Sequence, residues 1–130
     1  MKLLGIDYGD SKVGLALGDS VSGLSLPYQI IKNKNWQELI FEIKKLCQSE
    51  HIEQIVVGLP KQKTTTNTQQ TGVVRDFISY LEEELEVTVK VYDESYTSAQ
   101  AYKLGIIGDD DAVAAMIMLQ SYLDAQKLNS

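Results

Sequence analysis

Residues 2–19, KLLGIDYGDSKVGLALGD, decide how the chain is read. KLLGIDY, residues 2–8, is short and apolar and closes on Gly9, with Lys12 and Gly14 soon after, which is the pattern of a strand running into a tight turn. Val13 to Gly18 makes a second strand at hairpin distance. Leu24 to Ile31 makes a third, and Pro27 favours a sheet edge because proline has no N–H to give to a ladder. The first three strands therefore read as consecutive and antiparallel.

Beyond them the period changes. Trp36, Leu39, Ile40, Ile43, Leu46 and Cys47 fall on one face of an amphipathic helix. Ile55-Val56-Val57-Gly58-Leu59-Pro60 is a continuous β-branched run, as found in strands buried on both faces of a parallel sheet. Residues 61–72, KQKTTTNTQQTG, hold no apolar side chain and read as a polar loop. Val74, Phe77, Ile78, Leu81 and Leu85 then form the stripe of a second helix, and Val87 to Tyr92 a strand ending at Asp93-Glu94. Ala112 to Leu123, AVAAMIMLQSYL, is broken only by Gln120 and Ser121. At that length it is a buried helix rather than a membrane span. The order is β-β-β-α-β-α-β-α, an α/β fold whose later strands are joined by helical crossovers. No repeat or linker divides residues 1–130, so a single domain is expected.

Composition narrows the function. The 130 residues are 44% hydrophobic and 23% charged, as in ordinary globular proteins. One cysteine, Cys47, and one histidine, His51, can build neither a disulfide framework nor a zinc site. Nothing at the start resembles a signal peptide, since Asp7 and Asp10 interrupt it, and a cytoplasmic location with no membrane partner is expected. Eighteen acids against twelve bases leave a net charge of −6, the wrong sign for a broad basic nucleic-acid face.

The acids are not spread evenly. Ligands of open α/β sheets bind beyond the carboxyl ends of the parallel strands. Asp7 closes the first strand, Asp93 and Glu94 close the fifth, and Asp109 to Asp111 open the last helix. Each group alone fits a bland role, in a turn, at a solvated strand end or at a helix start. Together they are carboxylates from three segments that a fold neutralises with protons or a cation, and hard oxygen ligands suit one or two magnesium or manganese ions. Two such ions about 3.5–4 Å apart clamp the attacking and leaving oxygens of a phosphodiester. Seven of the eighteen acids lie in these segments, and the rest of the chain has eleven acids against twelve bases. The acidity is partly the site itself.

GIDYGDSKVGLALGD (5–19), IVVGLP (55–60), DESYTSAQA (93–101) and DAVAAMIMLQSYLD (111–124) together resemble the YqgF-type ribonuclease H-like family, described as Holliday-junction resolvases and pre-16S ribosomal RNA nucleases. The resemblance spans nearly the whole chain. It implies a five-stranded mixed sheet in the order 3-2-1-4-5, strand two antiparallel to the others, with helices on both faces. It also implies that Asp7, Glu94 and Asp111 are the metal ligands. Lys12 stands where the family usually has arginine in the turn, and Ser95 where arginine usually follows the acidic pair. The stretch from Asp93 to Asp111, with Lys103 its one base, is shorter than expected for the family.

The expected function is therefore metal-dependent hydrolysis of phosphodiester bonds, in processing of the 5′ end of pre-16S ribosomal RNA. Alternatives are the resolution of branched DNA, or a catalytically weak ribosome-assembly factor that associates with ribosomal precursors. Asp7, Glu94 and Asp111 would hold the metal and Lys12 would steady phosphate charge. Gly9, Lys12, Lys61 and Lys63 are the candidate substrate contacts, with Arg75 a further base. The choice of RNA or DNA and the oligomeric state stay open.

Overall fold

The computed structural model describes residues 1–59, 68–93 and 111–128. Strands β1 (Lys2–Asp7), β2 (Lys12–Asp19) and β3 (Leu24–Lys32) are followed by helix α1 (Trp36–Ser49), β4 (Gln54–Leu59), α2 (Thr68–Glu84), β5 (Thr88–Asp93) and α3 (Asp111–Leu128). The strands form one sheet in the order β3-β2-β1-β4-β5. β2 is antiparallel to β1 and β3, while β4 runs parallel to β1 and β5. This is the order and polarity that the resemblance implies.

The inner strands β1, β2 and β4 bury both faces, and alternate side chains point opposite ways. Leu4, Ile6 and Tyr8 from the first strand and its exit, Val13 and Leu15 of β2, and Ile55 and Val57 of β4 meet α1 and α2 in one core, around Leu39, Ile43, Phe77 and Leu81. The opposite face has Leu3, Ala16 and Val56 packed beneath Ala115, Met118, Leu119 and Leu123 of α3. On that face β1 and β2 present Gly5, Gly14, Ala16 and Gly18, which lets α3 come down almost onto the backbone. A Cβ at Gly5 would stand 3.0 Å from Leu119 Cβ, and one at Gly18 only 2.8 Å from Leu119 Cδ2.

Polar bonds set the position of α3 along the sheet. Ser25 Oγ donates to the Met116 carbonyl at 2.9 Å, Ser25 N–H donates to Gln120 Oε1 at 2.9 Å, and Gln120 Nε2 donates to the Gly23 carbonyl at 2.7 Å. Gln120, which breaks the apolar run in sequence, is thus the residue that fastens α3 to β3. Pro27 lies on the edge strand as expected. It pairs with Ala16 where the register shifts, Leu15 facing Gln29, so Tyr28 is the extra residue of a bulge.

Two boundaries differ from the periodicity. α2 begins at Thr68, inside the stretch read as loop, because helix-forming Gln69 and Gln70 supply a first turn that needs no apolar stripe. α3 runs on to Leu128, five residues past the apolar segment, as a more polar and more exposed final turn. Cys47 and His51 both have structural places. Cys47 is buried under α1, and His51 takes a left-handed φ of 56° just past the helix end. There Ile52 N–H closes back on the Cys47 carbonyl at 2.9 Å, which caps the helix. No helix among the described residues is long and apolar enough to cross a membrane.

Candidate active site

Asp7 is the last residue of β1 and is half-buried. Its parity with Leu3 and Gly5 aims it to the α3 side of the sheet. Across the ladder its partner is Gly14 of β2, and paired Cα atoms of antiparallel strands stand about 4.5–5.5 Å apart. Gly14 is also where α3 begins, for a Cβ there would overlap the carbonyl oxygen of Asp111. Two acids remote in sequence, Asp7 and Asp111, therefore flank a single glycine. Asp111 is the first residue of α3 and half-buried, where the positive end of the helix dipole favours its charge.

β4 separates β1 from β5, so backbones of the outer two are about 10 Å apart. On the α3 face β4 presents Gly58, itself buried, beside Tyr92 of β5. Tyr92 faces this side, its ring edge-on to Tyr122 at 5.7 Å. Glu94, the third acid expected to bind metal, lies outside the described residues, as do Asp109, Asp110, Lys61, Lys63, Ser95 and Lys103. Among the described residues no three of His, Cys, Asp and Glu come together as a metal cluster. What is brought together is the pair Asp7 and Asp111.

The turn after Asp7 is tight. A Cβ at Gly9 would collide with the Lys12 carbonyl oxygen, which fixes why glycine stands there. The turn is gripped from the β3–α1 corner: Asn33 Nδ2 donates to the Gly9 carbonyl and Asn33 N–H to the Ser11 carbonyl, both at 2.9 Å. Beneath it Trp36 Nε1 donates to Tyr8 Oη at 3.0 Å, and Phe77 stacks at 4.7 Å from Tyr8 and 5.6 Å from Trp36. Lys12 begins β2, exposed, with the same parity as Gly14 and hence on the side of Asp7. Arg75 is exposed on α2, which packs on the other face.

Gly14 and Asn33 were not singled out as site residues by the sequence. Gly14 carried a signal, a glycine inside an otherwise apolar strand, which marks close backbone approach. Asn33 carried none, because its partners are 24 and 22 positions away.

The donor types fit a hard divalent cation: two half-buried aspartates from separate segments whose backbones approach the same glycine, Gly14. No thiol or imidazole competes, as Cys47 is buried in the opposite core and pushed up to about 11 by desolvation, leaving it a neutral thiol at neutral pH.

A five-stranded sheet in this order, covered by helices on both faces and with an aspartate at the end of its central strand, defines the ribonuclease H-like fold. The Thermus thermophilus RuvC solved in complex with a Holliday junction substrate has the same fold, with a TM-score of 0.65 over 98% of this chain and 96% of that one, at 14% identity. The family model described as RuvX, Holliday junction resolvase, matches residues 1–125, and the chain belongs to that family. It is 33% identical to a Halothermothrix orenii protein over 97% of this chain and 96% of that one. It is 35% identical to one from Caldanaerobacter subterraneus subsp. tengcongensis over 98% and 99%. Both relatives bear the name "Putative pre-16S rRNA nuclease".

Proposed function

We propose that this chain is a metal-dependent nuclease that hydrolyses phosphodiester bonds at the 5′ end of pre-16S ribosomal RNA. The observation that carries the reading is that the backbones of Asp7 and Asp111 both approach Gly14, at the carboxyl end of the central strand. Near-full-length similarity to relatives named for that RNA supports the choice of substrate. Asp7 and Asp111, with Glu94 from the segment after β5, would hold magnesium or manganese. The ion supplies positive charge and Lewis acidity at the phosphoryl oxygens. Lys12, anchored by the turn that Asn33 grips, would add a second positive charge there, as a point charge rather than a two-pronged fork.

Branched DNA is the second reading, favoured by the description of the family model. One experiment separates the two. Purified protein is given a pre-16S 5′-leader RNA and a four-way DNA junction with manganese, beside the Asp7→Asn variant, which keeps the shape and removes the charge. The RNA should be cut by the wild type and left intact by the variant. Equal cleavage by both proteins would remove the proposal, and Asp7-dependent cutting of the junction alone would replace RNA with DNA.

A further inference from the structure

The corner between β3 and α1 carries an arrangement that the fold does not need. Lys12 and Lys32 are direct partners across the β2–β3 ladder, where like charges facing each other destabilise a sheet. Lys34 follows two residues on. All three are exposed, and among the described residues none makes an ion pair, in a chain with a net charge of −6. Acids are at hand: Asp10 is exposed in the turn, and Glu38 and Glu42 border the same groove as Lys32 and Lys34. Glu42 instead engages Lys45 at 3.5 Å. A local rule broken without a structural compensation marks a functional surface.

The place of this corner says what it serves. Asn33 sits between Lys32 and Lys34, and its two hydrogen bonds tie the corner to Gly9 and Ser11, two and four residues after Asp7. We infer that Lys32 and Lys34, continuing from Lys12, form a strip that binds the phosphate backbone of a nucleic-acid strand and leads it to the Asp7 site. The inference rests on the nuclease reading for its occupant and extends it by naming where the strand runs. A polyanion laid on Lys12, Lys32 and Lys34 relieves their mutual repulsion and releases condensed counterions, which makes binding depend on salt.

The test measures binding of a fluorescein-labelled single-stranded RNA and of a labelled four-way DNA junction, by anisotropy across a salt series with calcium present. Lys32→Ala/Lys34→Ala should weaken binding about tenfold at low salt. It should also flatten the slope of log affinity against log salt by about 1.4 for the RNA and about 1.8 for the junction, while Lys32→Arg/Lys34→Arg restores both. A loss confined to one probe supports the strip and names its ligand as RNA or DNA. The melting temperature should hold or rise, since the opposed pair is gone, and the arginine variant keeps the test open if it falls. Unchanged affinity and slope, or a wild type that binds neither probe, overturns the inference. Should the lysine-dependent binding appear while Asp7→Asn cleaves like the wild type, the nuclease reading of Asp7 fails and the strip stands.

Discussion

The two faces of the sheet are built to different plans. One is filled: Leu4, Ile6, Val13, Leu15, Ile55 and Val57 raise branched side chains that two helices cover, with Phe77, Trp36 and Tyr8 packed ring on ring. The other is bare of large side chains where β1 and β2 meet, and among the described residues one helix, α3, lies on Gly5, Gly14, Ala16 and Gly18. The filled face excludes more apolar surface from water, and that supplies most of the stability. The bare face gives up side-chain packing and gains position. Because α3 touches backbone, the start of the helix, with Asp111 as its first residue, is fixed against Gly14, the ladder partner of Asp7. Stability and geometry are thus placed on opposite sides of one sheet, and substitutions should separate them.

The largest loss of stability is expected on the filled face. Phe77→Ala removes a fully buried ring and should cost about 3–5 kcal/mol in denaturant unfolding. The ring packs on Tyr8 beneath the turn after Asp7, so cleavage by the fraction that remains folded should fall by no more than a few-fold. Gly14→Ala inverts that pattern. Its Cβ has no room beside the Asp111 carbonyl, so α3 must lift from the sheet, at a cost of about 1–3 kcal/mol. Cleavage per folded molecule should nonetheless drop by about 100-fold, because misplacing catalytic groups by an ångström costs that much. If Gly14→Ala lowers stability and leaves the rate per folded molecule intact, the division between the faces is wrong.

The legible part of the molecule follows the same division. Period-2 and period-3.6 patterns require side chains, so the five strands and three helices among the described residues could be read from the chain. The bare face is written in glycines, which the patterns register as breaks. The ends of α2 and α3 differ from the periodicity for a related reason: Thr68 to Gly72 and Asp124 to Leu128 continue a helix on propensity rather than on an apolar stripe. Of the site, Asp7 and Asp111 were legible as acids at a strand end and a helix start. Their meeting point was not, because it depends on the register of β1 with β2 and on the absence of a Cβ at Gly14. Asn33 was illegible altogether, since an asparagine that clamps a distant turn looks like any other loop residue. Gln120 even pointed the wrong way, a polar break in sequence that in space is a fastening.

The smallest effect sharpens the comparison through pH. Cys47 lies in the filled core, and burial raises its pKa from 9.0 to about 11. The folded protein therefore favours the neutral thiol, and the stabilisation is complete below pH 9. Above that pH the unfolded chain loses its proton first, so stability falls as pH rises from 9 toward 11. At pH 10 the loss should be about 1 kcal/mol. Cys47→Ala should start less stable at pH 8, through lost packing, and the gap to wild type should close by about that amount by pH 10 in paired urea titrations. A constant gap would mean that the thiol ionises as easily folded as unfolded, and that the core under α1 admits water that the packing around Leu46 and Ile43 should exclude. Metal-dependent cleavage offers the matching control. On the proposed reading it draws on Asp7 and Asp111 across the sheet, so Cys47→Ala should leave the pH dependence of cleavage unmoved wherever both proteins are fully folded.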